Sequence, residues 1–248
     1  MKQFSLLVPM IALFFVTACQ QQKATPSLSQ TKAVDNGDST IYGLICEGSN
    51  DSILVFLPDP YDGSDPDTFD ILNASRQHQV FGRLQVGDRV AIMLDTIGNK
   101  RASLVIVTQD LQQQWCYKVK PRIRRRAELT NDSTGHALAY WELPDSTQEE
   151  LLAEREYGFT LKADSVAMPI GMRQANVDEN SPVEYPPMKR YRQWYIHNGR
   201  LLLVENNLDS LGNIVPVSTD TAELLELTSD TLVLRMSDGI HGYYRKLK

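Results

Sequence analysis

From Ile41 onward apolar residues come in short runs separated by Gly, Asn and Asp, a spacing that predicts strands and tight turns in place of long helices. Ile41 to Pro58 (IYGLICEGSNDSILVFLP) reads as a hairpin turning at Gly48-Ser49-Asn50-Asp51, with Tyr42, Leu44 and Cys46 on the inward parity. After an acidic loop, Gln79-Val80-Phe81 and Arg89 to Leu94 (RVAIML) flank Val86-Gly87-Asp88, and Gly98-Asn99-Lys100 separates that run from Ser103 to Thr108 (SLVIVT). Short strands at this density predict a small closed barrel over residues 41–112, because closure removes exposed edges.

The pattern resumes near Trp115. Ser146 and Glu149 have the spacing of a capping box and predict one short helix over Glu149 to Glu156 (EELLAERE). Tyr191 to His197 (YRQWYIH), Asn198-Gly199 and Arg200 to Glu205 (RLLLVE) predict a hairpin, since Asn-Gly accepts the positive φ angles of a type I′ turn. Thr231 to Met236, Ser237-Asp238-Gly239 and Gly242 to Leu247 repeat it. A helix followed by an antiparallel meander predicts an up-and-down barrel over 113–248. The expected fold class is mostly β: two small antiparallel β-barrels with one short helix.

The beginning of the chain follows other rules. Lys2 precedes the apolar run Phe4 to Ala18 (FSLLVPMIALFFVTA), the order of a secretory signal peptide over residues 1–18. Val16-Thr17-Ala18-Cys19 resembles the lipobox of bacterial lipoproteins. That resemblance implies cleavage before Cys19, acylation of its sulfur and a lipid anchor in the cell envelope. Gln20 to Thr40 (QQQKATPSLSQTKAVDNGDST) is polar and without period, so residues 19–40 are expected to form a flexible tether. No acidic cluster follows Cys19, unlike the surface-export signals of some Gram-negative lipoproteins, and this points to an outer-membrane anchor facing the periplasm.

Two further resemblances concern the barrels. The first hairpin, the crossover and the turn Val86-Gly87-Asp88-Arg89-Val90 are similar to an OB-type barrel. In the second region, Gly158-Phe159-Thr160-Leu161, the hairpin through Tyr191, Trp194, Ile196, Asn198, Gly199 and Leu201, and the closing run Leu225 to Leu234 (LELTSDTLVL) with Tyr244-Arg245-Lys246 resemble lipocalin-like domains of bacterial lipoproteins. The likeness spans Gln112 to Lys248 and implies a cup-shaped barrel that binds and rarely catalyses. The Pro- and Asn-rich stretch from Met168 to Met188 departs from a tight meander and reads as a lid or a long loop.

Composition narrows the function. Acidic residues exceed basic ones, 31 to 25, for a formal charge of −6, which argues against nucleic acid as a partner. No apolar run reaches the roughly 20 residues of a membrane-spanning helix. His78, His136, His197 and His241 stand far apart, and no Gly-x-Ser-x-Gly, His-Glu-x-x-His or Cys-x-x-Cys occurs. The expectation is a binding protein, not an enzyme, with no catalytic residue, metal or cofactor. Its partners are the membrane, through the anchor, and either a small apolar ligand in the second barrel or another envelope protein docked through the basic strand or the first barrel.

Several side chains are candidates for such work. Trp141, Trp194 and Tyr244 would face a ligand in an open barrel, since aromatic walls dominate small-molecule sites. Lys118, Lys120, Arg122, Arg124 and Arg126 share one parity and would form an anion-binding wall, or a solvated strand face neutralised by Asp59, Asp62, Asp65, Asp67 and Asp70 in the acidic loop. That loop lacks EF-hand spacing, so calcium is not expected. Cys46 and Cys116 would either bridge in an oxidising compartment or remain separate thiols. Ten of 19 aspartates precede Ser or Thr, and nine of those ten continue with an aliphatic, Ala or Thr residue, more than composition explains. Turn chemistry accounts for some of this. The triplet also resembles an O-glycosylation site of Gram-negative bacteria, making Ser39, Ser52 and Ser133 candidate sites.

Overall fold

The computed structural model describes residues 37–96, 99–125, 129, 138–171, 181–208 and 214–247. The stretch expected to be a signal peptide, Cys19, Arg126 and Ser133 lie outside the described residues. Asp38–Lys248 form one compact unit. Among the described residues no helix is long and apolar enough to cross a membrane.

The alternating run after residue 40 pairs as expected. β1 (Ile41–Ile45) and β2 (Ile53–Pro58) are antiparallel, and β3 (Asp67–Asp70) adds to β2 within the stretch read as an acidic loop. Phe69 is what recruits β3: it is buried and meets Phe56 edge-on at 5.5 Å. α1 (Leu72–Arg76) and β4 (Val80–Phe81) follow, then the hairpin of β5 (Arg89–Leu94) and β6 (Ala102–Val107), with β4 parallel to β6. The sheet order is β3-β2-β1-β5-β6-β4. A parallel bridge joins Asp70 to Arg101, and the Asp70 N–H donates to Lys100 O at 2.8 Å, which brings β3 round to the start of β6. The sheet curls about its own core of Ile45, Leu54, Phe56, Phe69, Val90, Ile92, Val105 and Val107. Parity in β1 is opposite to expectation. Ile45 is buried, whereas Tyr42 turns outward, where its hydroxyl donates to Ile196 O at 2.6 Å.

α2 (Thr108–Leu111) leads into the second sheet. β7 (Gln114–Val119) and β8 (Arg122–Ile123) come first, and a 3-10 turn at Tyr140–Glu142 and α3 (Asp145–Leu151) precede β9 (Arg155–Leu161) and β10 (Ala167–Ile170). β11 (Val183–Glu184), which pairs with β8, is followed by β12 (Tyr191–His197), β13 (Arg200–Leu208), β14 (Ile214–Leu227), β15 (Thr231–Met236) and β16 (Gly239–Arg245). Eight strands make one antiparallel sheet in the order β10-β9-β7-β16-β15-β14-β13-β12. Its outer strands meet, since Val166 bridges Gln193 and the Trp194 N–H donates to Ser165 O at 2.9 Å, so the sheet is a nearly closed barrel. β7 and β9 approach closely at Gly158, where a Cβ would stand 1.9 Å from Trp115 O.

Helices depart from expectation in number and position. α1 and α2 accompany α3, and α3 begins at Asp145 and ends at Leu151, ahead of the span read from Glu149 to Glu156. Ser146 makes no capping bond and the N-cap is Pro144. Arg155 and Glu156 pair with Val119 and Lys118 in the ladder of β9 with β7, so sheet pairing takes the end of the expected helix.

The two sheets share an apolar cluster. β5 and β6 are buried on both faces: Val90, Ile92, Val105 and Val107 point into the first core, while Ala91 and Ile106 join Phe81 and Leu111 in the cluster that fills the barrel. The contact is at the barrel end where β12 turns into β13 and β14 finishes. There Gly82 N–H donates to Leu227 O at 3.2 Å, and Leu161 N–H to Gln113 O at 3.0 Å. The first sheet therefore stoppers that end.

Candidate binding site

Alternation along the barrel strands puts Trp115, Phe159, Tyr191, Trp194 and Tyr243 inside, together with Leu201, Leu203, Leu224, Leu232 and Leu234. Their rings touch in sequence: Tyr157 with Tyr117 at 6.2 Å, Tyr117 with Tyr243 at 5.5 Å, Tyr243 with Phe159 at 5.1 Å and Phe159 with Tyr191 at 5.8 Å. Polar tips among them find acceptors. Trp115 Nε1 donates to Leu111 O at 2.9 Å, Trp194 Nε1 to Lys162 O at 2.8 Å, and the Tyr191 hydroxyl to Asp220 Oδ2 at 2.5 Å, where Lys189 Nζ also stands at 2.7 Å. Burial, with the Asp220 acceptor beside it, pushes the Tyr191 phenol far above its ordinary value. Burial also raises Tyr243 and Tyr117. Among the described residues these inward side chains form one buried apolar cluster.

Of the three aromatic residues expected to face a ligand, Trp194 alone points inward. Tyr244 has the opposite parity to Tyr243 and lies on the outer face, donating its hydroxyl to Glu156 at 2.7 Å, a bond that lifts its pKa to about 12. Trp141 sits on the 3-10 turn and is 61% exposed. Trp115 and Phe159, not anticipated as inward, carry no local signal beyond strand parity, whereas Tyr243 packs the core as the aromatic residues of a barrel usually do. An adjacent Tyr243-Tyr244 pair leaves that parity ambiguous until the register Leu232 with Tyr243 is known.

The basic residues do not form one strand face. β7 ends at Val119, and Pro121 separates it from β8. Lys118 and Lys120 share Glu154 at 3.4 and 3.3 Å, and Arg122 and Arg124 reach Glu184, Arg124 at 3.9 Å. The counter-charges are thus Glu154 and Glu184. The acidic loop instead serves its own sheet: Asp59 faces Arg89 at 3.9 Å, Asp67 faces Lys100 at 2.6 Å and Asp70 faces Arg101 at 3.5 Å. Among the described residues no group of three or more His, Cys, Asp or Glu is placed to hold a metal.

Cys46, just past the end of β1, and Cys116, buried in β7, are free thiols. Burial, then Glu156, pushes the Cys116 thiol up. Asp38-Ser39-Thr40, read as tether, is fastened to the β12–β13 turn. Asp38 accepts from Asn198 N–H at 2.8 Å and Thr40 N–H at 2.9 Å, and Ser39 N–H and Oγ both donate to Asn198 Oδ1, at 2.9 and 2.8 Å. The Ser39 hydroxyl is therefore engaged, while Ser52 is half-buried in the bend before β2. His197 pairs with Asp38 at 3.6 Å and His241 with Asp238 at 2.8 Å.

A crystal structure of a lipocalin-like protein from Bacteroides thetaiotaomicron is similar. It aligns at 14% identity with a TM-score of 0.28, over 55% of this chain and 96% of that chain. No protein-family model matches the chain, and no curated protein matches it.

Proposed function

We propose that the chain is a cell-envelope lipoprotein, anchored through Cys19 and facing the periplasm, that acts without catalysis by docking another envelope protein on its surface. The observation that favours docking over carriage is the continuous buried cluster inside the barrel, in which five aromatic rings pack with the inward leucines. The barrel is read as lipocalin-like in its strand order, an up-and-down meander β12 to β16 entered by way of a short helix. The first sheet is read as OB-type on its β1-β2-β3 meander, the helix α1, the placement of β1 beside β5 and the parallel closure of Asp70 on Arg101. Sugar on the Asp-Ser/Thr triplets belongs to the same proposal, with Ser39, Ser52 and Ser133 as its candidate sites.

A small ligand at the other end of the barrel is the second reading. It is favoured by Tyr117, which is half-exposed and continues the interior aromatic run outward. Native mass spectrometry on the protein purified from its own envelope separates the two. Docking predicts no small-molecule mass released on denaturation and a cross-linked protein partner in intact cells. A released small molecule in near-stoichiometric amount would replace docking with carriage.

A further inference from the structure

The sequence places Tyr140 and Trp141 side by side, and the fold half-buries the smaller ring. Tyr140 packs, with Leu151, against the cluster of Tyr157 and Tyr185 and donates its hydroxyl to Gln148 O at 3.4 Å, while Trp141 is left 61% exposed and Leu138, three residues earlier, 52%. This is an ordered platform. Glu142 Oε2 accepts from Ala139 N–H at 2.7 Å and Gln148 Nε2 donates to Leu143 O at 2.7 Å, which ties the 3-10 turn to α3. Tyr185 holds the far end of α3 through Leu151 O and Ala153 O, with Arg155 stacked 3.7 Å over its ring. A tryptophan held outward on a rigid support is the kind of anchor that dominates protein interfaces, since its area is gained only when a partner covers it.

The charges around the platform state what kind of partner fits. Residues 138–154 contain five acids, Glu142, Asp145, Glu149, Glu150 and Glu154, and no Lys, Arg or His. Glu142 caps the turn and Glu154 is held by Lys118 and Lys120. Asp145, Glu149 and Glu150 are exposed and, among the described residues, have no ionic partner. We infer that Leu138 and Trp141 with this acidic rim form the docking surface, and that its occupant is a cationic protein segment carrying an apolar residue onto Trp141. This deepens the docking reading above and rests on it. It also moves the contact away from the basic strand, whose charges the chain already balances.

The test titrates the full chain with a synthetic lysine–leucine peptide and, separately, with its glutamate–leucine counterpart. Emission of Trp141 is the readout, since the other two tryptophans are buried in the core. The lysine peptide alone is expected to shift that emission to the blue and shield it from acrylamide, and Trp141→Phe to abolish the signal. Glu149→Lys with Glu150→Lys is expected to weaken binding at least tenfold by calorimetry. Asp62→Lys with Asp65→Lys, in the exposed loop of the first sheet, is expected to change it less than twofold, and thermal melts check that both variants fold. Equal effects of the two double variants, or equal binding of the two peptides, would reduce the attraction to net charge and overturn the proposal. In intact envelopes a photo-crosslinker at Leu138 is expected to capture a protein through a Lys- or Arg-rich segment. Adducts with lipid or with a second copy of this chain would overturn it. Surface-wide cross-linking that finds a partner while Leu138 captures none defeats this surface alone, and failure of both defeats the docking reading with it.

Discussion

Single side chains set the pH limits of this fold. Tyr191 is buried and donates to Asp220, so its phenol titrates above the ordinary value of 10.0. A raised acid favours the neutral form in the folded state. Its contribution is complete below pH 10 and is lost as pH climbs towards the folded value. Tyr191→Phe is expected to flatten the alkaline loss of stability while costing about 1–3 kcal/mol at pH 7, because Asp220 loses a donor. Urea unfolding at pH 7 and pH 10.5 measures both. Asp38 acts in the other direction. Burial opposes its charge, but hydrogen bonds from Thr40 and Asn198 outweigh it and hold the carboxyl below its ordinary 3.8. Its contribution is present above pH 3.8 and fades as pH falls, and Asp38→Asn is expected to flatten that acid limb in the same assay. At this scale the aspartate turns were legible, as in Asp230, whose carboxylate accepts from Thr228 and Thr231. The role of Asp220 was not. It lies in mid-strand opposite Leu203, and only the register of β12 and β14 on either side of β13 brings Tyr191 and Lys189 to it.

Among the elements, those made by local chemistry came out as read. Asn198 and Gly199 take φ values of 48° and 68°, joining β12 to β13 at the residues expected. The same turn has a tertiary duty, because a Cβ on Gly199 would stand 2.4 Å from Leu104 on the first sheet. Gly199→Ala is therefore expected to destabilise the protein by about 1–3 kcal/mol, through both the positive φ and the overpacking, as read in urea melts. Gly239→Ala, with nothing within 4 Å of its Cβ, is the control for backbone strain alone. β3 and α3 were misread for one reason. Asp-rich and Glu-rich stretches look exposed or helical in isolation, but burying Phe69 against Phe56 makes one a strand, and pairing Arg155 with Val119 ends the other early.

At the scale of the whole molecule, Ala91, Ile106, Phe81 and Leu111 couple the sheets. Residues 38–248 are accordingly expected to melt in one calorimetric transition, with matching calorimetric and van't Hoff enthalpies. Leu111→Ala is expected to lower stability by about 2–5 kcal/mol and to move circular-dichroism and Trp194-region fluorescence changes together. Two separated transitions would show independent barrels. The hydrophobic period and turn residues by themselves determined that the chain is mostly β and where most strands run, since these depend on contacts only a few residues long. What tertiary structure decided was which parity faces a core, that Tyr243 and not Tyr244 fills the barrel, that the basic residues meet Glu154 and Glu184, and that Trp141 stays outside. Each of these depends on register between strands far apart in sequence, where a one-residue shift exchanges the faces.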